Sequence, residues 1–97
     1  MKAIDVHLHV GARGQTVEAE ADTAQLYRRN DVLGLPIAWD EETRTGASPI
    51  SNDFVAQVVR AYSDVFPTGW ACVDPWKGKA ALREVERAVR ELGLIGV

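Results

Sequence analysis

The stretch K-A-I-D-V-H-L-H at residues 2–9 has a polar side chain at every second position from Asp5 onward. Side chains of a β-strand alternate between the two faces of its sheet. A strand here is therefore predicted to place Asp5, His7 and His9 on one face and the apolar residues on the other. Two imidazoles side by side on a buried strand cost free energy unless they are hydrogen-bonded or bind a metal ion. We expect His7 and His9 to bind one divalent metal ion; a hydrogen-bonded pair of core or surface histidines is the alternative.

Alternating strands and helices follow this first strand about every 30 residues. Hydrophobic periodicity and capping residues predict helices at 16–30 from a Thr16 cap, at 52–62 from a Ser51 or Asn52 cap, and at 81–92. The apolar positions of the second helix are Phe54, Val55, Val58, Val59 and Tyr62, and those of the third form one stripe of Ala81, Leu82, Val85, Ala88, Val89 and Leu92. Strands are predicted at 32–39, 69–73 and 94–97. Gly34 and Pro36 predict an irregular second strand. In the third helix, Glu86 and Arg90 are spaced to form an ion pair. Such alternation is typical of an α/β fold with a parallel sheet and right-handed crossovers.

The length of 97 residues fits one small domain. A (β/α)8 barrel needs about 250 residues, and this sequence supplies three βα units plus a fourth strand. The apolar residues 94–97 would leave an uncovered strand edge in a complete protein. We therefore expect residues 1–97 to be the N-terminal part of a larger domain, and so an incomplete domain by themselves.

Composition excludes several classes of partner. Net charge is −3, with 11 Lys and Arg against 14 Asp and Glu, and the basic residues are scattered. Neither a nucleic-acid surface nor a polybasic membrane patch is therefore expected. We expect no secretory signal, because Asp5, His7 and His9 interrupt the apolar run that follows Lys2, and no apolar run in these residues is as long as a membrane span. Cys72 is the single cysteine, which excludes an internal disulfide and favours a cytoplasmic protein.

Four motifs, taken in order, carry a family resemblance. They are I-D-V-H-L-H at 4–9, S-N-D-F-V at 51–55, A-C-V-D-P at 71–75 and L-G-L-I-G-V at 92–97. The first resembles the opening of the amidohydrolase superfamily. The others are similar to the branch that contains aminocarboxymuconate-semialdehyde decarboxylase, γ-resorcylate decarboxylase and related hydrolases. The likeness covers nearly the whole chain and is weakest at residues 11–15.

This resemblance implies the N-terminal portion of a (β/α)8 TIM barrel with a mononuclear metal, usually zinc, with manganese as the alternative. His7 and His9 would be ligands from the first strand. The family takes its other ligands from a histidine on the fifth strand and an aspartate on the eighth, and an acid/base histidine from near the sixth. His7 and His9 are the only histidines here, so the catalytic acid/base residues are expected beyond Val97. The implied activity is a metal-dependent hydrolase or non-oxidative decarboxylase acting on a small carboxylate-bearing or aromatic compound; the 97 residues alone are expected to be inactive.

In such a barrel, residues just after the strands face the substrate. Arg13 is the candidate for binding a substrate carboxylate, with a solvated loop arginine as the alternative. Trp39, beside Asp40, and Trp76, beside Asp74, are candidates for stacking on the substrate, although such tryptophans also pack between helix and barrel. Asp74 otherwise caps the next helix. Asp5 would orient a histidine or lie just outside the metal ligands, or else bond to backbone.

Other interpretations remain open. Phosphoesterases of the PHP class also begin with Asp-x-His-x-His, but they continue with Ser or Thr and a nearby Ser-Asp-Gly, which residues 10–14 lack. The chain could also be a catalytically incompetent fragment that binds metal weakly or associates with another half-barrel, so a homo-oligomer is compatible with the sequence. A flavodoxin-like binding domain is a further alternative, but its first strand would be followed by a phosphate loop rather than by His-x-His.

Overall fold

Two of the four predicted strands form a hydrogen-bonded ladder. A computed structural model describes residues 2–39 and 49–96. Its elements are β1 (Ala3–Val10), a 3-10 helix (Val17–Glu20), α1 (Ala21–Arg29), β2 (Val32–Ala38), α2 (Pro49–Ala61), a second 3-10 helix (Pro75–Lys77) and α3 (Lys79–Arg90). In this part of the chain β1 and β2 pair in parallel. The prediction of an α/β fold with a parallel sheet is confirmed at this level.

The pairing of β1 with β2 contains one extra residue. Asp5 lies opposite Gly34 and Leu8 opposite Pro36, so three steps along β1 match two steps along β2. This is the geometry of a β-bulge, in which one strand carries a residue without a partner. The sequence predicted an irregularity at Gly34 and Pro36, but the extra residue lies in β1. The bulge interrupts the alternation of side chains between Asp5 and Leu8, the part of β1 that contains His7.

The predicted third and fourth strands are extended segments without a regular ladder. The N–H of Trp70 donates to the carbonyl of Pro36 at 2.8 Å, and the N–H of Ile95 donates to the carbonyl of Gly69 at 2.9 Å. The N–H of Ala71 also donates to the carbonyl of Gly96 at 2.6 Å. One bond thus holds 69–73 beside β2, and two bonds hold 94–96 beside 69–73; Val97 lies outside the described residues. Pro36 accepts a bond on this side but has no N–H to donate, which removes a ladder bond.

The helices cover one face of the sheet and enclose the core. The buried apolar side chains of this core come from both strands, from the three α-helices and from the segments that follow α2 and α3. They are Val10, Ala24, Ala38, Phe54, Val55, Val58, Val65, Phe66, Ala71, Ala88 and Leu94. The predicted apolar positions of the second helix are therefore confirmed for Phe54, Val55 and Val58. Pro36 and Ala38, the two neighbours of Ile37, are buried on the helix side. Ile37 therefore lies on the opposite face of the sheet, where it lines a cavity together with His7.

The helix boundaries differ from the predicted ones. Thr16 precedes a 3-10 helix rather than an α-helix, and its side chain makes no capping hydrogen bond. The cap predicted at Ser51 or Asn52 is wrong, because α2 begins at Pro49 and both residues lie inside it. The predicted pair of Glu86 and Arg90 is confirmed at 3.4 Å.

The apolar stripe predicted for α3 is buried only in part. Ala81 and Ala88 are buried, whereas Leu82 and Val89 are exposed. Among the helices in the described ranges, none has the length and apolar character needed to cross a membrane.

Candidate metal centre

The two histidines of β1 converge on each other. Nε2 of His7 lies 3.0 Å from Nε2 of His9, and both side chains are exposed. Their rings meet edge to face, with centroids 4.7 Å apart and planes at 85°. Because residues at i and i+2 of a strand share a face, the predicted common face is confirmed for this pair.

The spacing of the two nitrogens suits a shared metal ion. Two tetrahedral ligand nitrogens, each about 2.1 Å from zinc, lie roughly 3.4 Å apart. The observed separation of 3.0 Å needs only a small opening to reach this value. The same separation fits a hydrogen bond between neutral imidazoles, in which one Nε2 donates and the other accepts. The geometry therefore serves both the metal-binding interpretation and its alternative.

A complete set of metal ligands is not present in the described part of the chain. Over residues 2–39 and 49–96, no three or more His, Cys, Asp or Glu side chains come together in an arrangement suited to a metal ion. Catalytic zinc generally has three protein ligands and a water molecule. His7 and His9 would therefore supply two ligands, and at least one more protein ligand would have to come from elsewhere.

Asp5 does not lie with the histidine rings, so the prediction of one shared face is wrong for it. Oδ2 of Asp5 accepts the hydroxyl of Tyr27 in α1 at 2.5 Å, and Oδ1 accepts the backbone N–H of His7 at 3.1 Å. The bond from Tyr27, followed by that from the His7 N–H, holds the pKa of Asp5 below its usual value. Burial and the Asp5 carboxylate raise the pKa of Tyr27 to about 12. Both shifts favour a charged Asp5 that accepts from a neutral Tyr27 at neutral pH.

Trp39 lies beside the histidine pair, at the end of β2. Its ring meets the His9 imidazole edge to face, with centroids 5.4 Å apart and planes at 74°. Gly11 allows the two strand ends to approach, because a Cβ there would lie 2.6 Å from the Trp39 carbonyl. The structure thus brings one of the three predicted substrate-binding residues to the candidate site. Its role in binding substrate stays a prediction.

The other two predicted substrate-binding residues lie in solvent. Arg13 is exposed in the turn that follows β1, where the N–H of Gly14 donates to the carbonyl of Gly11. Trp76 is 94 % exposed within the second 3-10 helix. Oδ1 of Asp74 accepts the N–H of Trp76 at 3.0 Å, which is the local capping role considered for this aspartate. Asp40 lies outside the described residues.

Sequence reasoning missed Trp70, which lies on the histidine face of the sheet. Its Nε1 donates to the carbonyl of Val6 at 2.8 Å. With Val6, His7 and Ile37 it lines an open cavity of about 290 Å³. The signal that could have found it is the alternation of side chains along the predicted strand 69–73. Gly69 and Ala71 are buried on the helix side, and Trp70 between them therefore lies on the histidine face.

A second missed residue is Glu20, which is buried although it has a carboxyl side chain. Its Oε1 accepts the backbone N–H of Gly11 at 2.9 Å. This bond fixes the end of β1, two residues beyond His9, against the helix layer. No spacing rule in the sequence links residues 11 and 20, so the contact follows only from the folded chain.

Comparison with known proteins gives no relative from which a function could be transferred. No family model matches the sequence, no curated protein matches it, and no solved structure matches the fold. The resemblance to the amidohydrolase superfamily therefore depends on the four sequence motifs alone.

Proposed function

We propose that this chain supplies the two-histidine part of a divalent metal centre in a metal-dependent hydrolase or non-oxidative decarboxylase. The residues would form the N-terminal part of an amidohydrolase-type (β/α)8 barrel. The single observation that supports this best is the 3.0 Å separation of the His7 and His9 Nε2 atoms on the exposed face of β1.

The neighbourhood of the pair also suits metal-assisted chemistry on a small organic substrate. A divalent metal supplies either a water of lowered pKa as nucleophile or a Lewis acid that polarises a carbonyl or carboxylate-bearing carbon. Trp39 beside His9, and Trp70 with Ile37 beside His7, provide apolar and aromatic surface next to the ligands. Such surface favours a flat, apolar substrate body, and Arg13 remains the candidate for its carboxylate.

Metal binding by the 97-residue chain tests the first part of this proposal. Titration with Zn²⁺ or Co²⁺ should show weak binding of one ion, because two imidazoles make an incomplete site. His7→Ala and His9→Ala should each weaken binding by more than the about 10–100-fold typical of losing an outer-shell partner. Trp76→Ala is the control, since this exposed side chain should leave the affinity unchanged. Unchanged affinity in both histidine variants would refute the metal assignment.

The reading frame past Val97 tests the barrel and the reaction. A lysine and a histidine directly after Val97, followed by two more histidines and an aspartate, are expected. The complete polypeptide, with zinc or manganese, should then release carbon dioxide from aromatic or dienoic acids, or open lactones. A chelator should abolish turnover and Arg13→Ala should weaken it. Turnover of phosphate monoesters alone would instead support the PHP-class phosphoesterase.

A further inference from the structure

The Asp5 carboxylate connects α1 to the backbone of a candidate metal ligand. One of its oxygens accepts from the Tyr27 hydroxyl, and the other accepts from the N–H of His7. The second bond lies within β1, between residues i and i+2. The carboxylate therefore restrains the strand at the residue where the histidine pair begins, and Tyr27 restrains the carboxylate.

Gly34 gives Tyr27 the space to reach Asp5. Gly34 lies opposite Asp5 in the ladder, and a Cβ on it would lie only 2.8 Å from Cε2 of Tyr27. The Tyr27 ring also packs edge to face on Phe66, with centroids 5.7 Å apart. The tyrosine is thus held by core packing as well as by its hydroxyl, which makes it a fixed point beside β1.

The bulge of β1 coincides with these contacts. The register changes between Asp5 and Leu8, so the extra residue falls among the positions that the Asp5 carboxylate bridges. An extra residue redirects the side chains that follow it. Here the shifted segment contains His7 and is followed by His9, and the Nε2 atoms of the two histidines meet at 3.0 Å.

We propose that Asp5 and Tyr27 are a positioning pair, which fixes the bulge and so holds the two imidazoles close to the separation that a shared metal ion requires. This inference rests on the proposed metal centre for its function, but the geometry it describes exists without metal. It differs from a direct outer-shell contact, because Asp5 acts through the His7 backbone and not through a ring nitrogen.

Nuclear Overhauser effects between the His7 and His9 rings in the metal-free chain provide the direct test. Tyr27→Phe removes one hydroxyl and keeps the ring, and it should weaken these effects at least twofold. Tyr62→Phe is the matched control, since Tyr62 donates its hydroxyl to the carbonyl of Val17 at 2.8 Å and also packs on Phe66. The control should lose a comparable amount of stability and keep the ring-to-ring effects.

Zinc affinity gives the second readout. Tyr27→Phe should weaken zinc binding about tenfold, in the range typical of partners that orient metal ligands, whereas Tyr62→Phe should stay within twofold of the wild type. Asp5 is replaced in two ways, Asp5→Ala and Asp5→Asn. Asp5→Asn keeps an oxygen that can accept the His7 N–H, so it is the variant to use if Asp5→Ala does not fold. In a double-mutant cycle, Tyr27→Phe should have little further effect once Asp5 is replaced, because the two act as one unit.

The outcomes separate the two proposals. Equal effects of Tyr27→Phe and Tyr62→Phe, or no effect of Tyr27→Phe on the ring-to-ring contacts, would overturn the positioning pair. If the wild type shows those contacts but binds no zinc, the metal centre fails and the nuclear Overhauser comparison still decides the positioning role. Additive effects of Asp5 and Tyr27 substitutions would also contradict a shared action.

Discussion

The buried side chain of Asn52 in α2 forms two hydrogen bonds with the backbone of Cys72, twenty residues further along the chain. Its Oδ1 accepts the Cys72 N–H at 2.8 Å, and its Nδ2 donates to the Cys72 carbonyl at 3.0 Å. An amide side chain thus provides the bonds that a neighbouring strand provides in a ladder. This contact holds the extended segment 69–73, and with it Trp70, against the helix layer.

Replacement of Asn52 by alanine should therefore destabilise the fold. The substitution leaves the N–H and carbonyl of Cys72 without these partners, and we expect a loss of about 2–3 kcal/mol in the free energy of unfolding. Asn30→Ala is the control, because Asn30 donates to the Leu26 carbonyl from an exposed position and should cost less than about 1 kcal/mol. Urea denaturation of both variants checks this; equal losses would mean that the Asn52 contact contributes little.

Acid should weaken a second contact of the same region. Nδ2 of Asn52 also donates to Glu84, which forms an ion pair with Arg87 at 2.7 Å. The Arg87 guanidinium, more than Asn52, lowers the pKa of Glu84 from its ordinary value of 4.5, and burial opposes the shift. Since the unfolded chain then binds the proton more readily, this contribution to stability is present above pH 4.5 and is lost as the pH falls through the lower folded pKa.

Glu84→Gln should accordingly reduce the stability of the fold at neutral pH and flatten its decline below pH 4.5. Glu86→Gln is the control, because Glu86 pairs with Arg90 at a longer 3.4 Å on the exposed side of α3 and should change the slope little. Urea midpoints measured from neutral pH down to the acid transition give both slopes. Parallel curves for the wild type and Glu84→Gln would contradict the assigned shift.

The local elements were predictable because they follow from periodicity. The alternation of residues 2–9 predicted β1, and the apolar spacing of Phe54, Val55 and Val58 predicted α2. The convergence of His7 and His9 also followed from alternation, since residues that are two positions apart on a strand lie on the same face of the sheet. These predictions need only the neighbours of each residue along the chain.

The failures at Asp5 and Asn52 involve partners that are distant in sequence. The bulge that turns Asp5 away from the histidine rings depends on Tyr27 and on the missing Cβ of Gly34, neither of which lies in the motif. The predicted cap at Asn52 is wrong because α2 begins at Pro49, and the Asn52 side chain binds the backbone of Cys72. Side-chain to backbone bonds compete with local structure in this way, and local patterns do not reveal which one prevails.

The Tyr27 hydroxyl should ionise late in an alkaline titration. Its pKa is raised to about 12 by burial and by Asp5, so the difference in tyrosinate absorbance between the wild type and Tyr27→Phe should rise near pH 12. Because the unfolded tyrosine ionises nearer 10, the contribution of Tyr27 to stability is present below pH 10 and is lost as the pH approaches 12. Asp5→Asn should move this ionisation toward the ordinary value. A difference curve centred near pH 10 in the wild type would contradict the contact.

Self-association should occur through the exposed strand β1. Within the described residues β1 pairs with β2 alone, and Ile4 and Val6 are 51 % and 59 % exposed on it. An apolar strand with an open edge is a site for pairing with another chain. Ile4→Lys should therefore weaken association about tenfold, since burying one isoleucine contributes about 1.5 kcal/mol or more. Leu26→Lys, at an equally exposed position on α1, should have a smaller effect. Sedimentation velocity over a range of concentrations measures both, and a monomeric wild type with a sharp two-state thermal transition would show that β1 needs no partner.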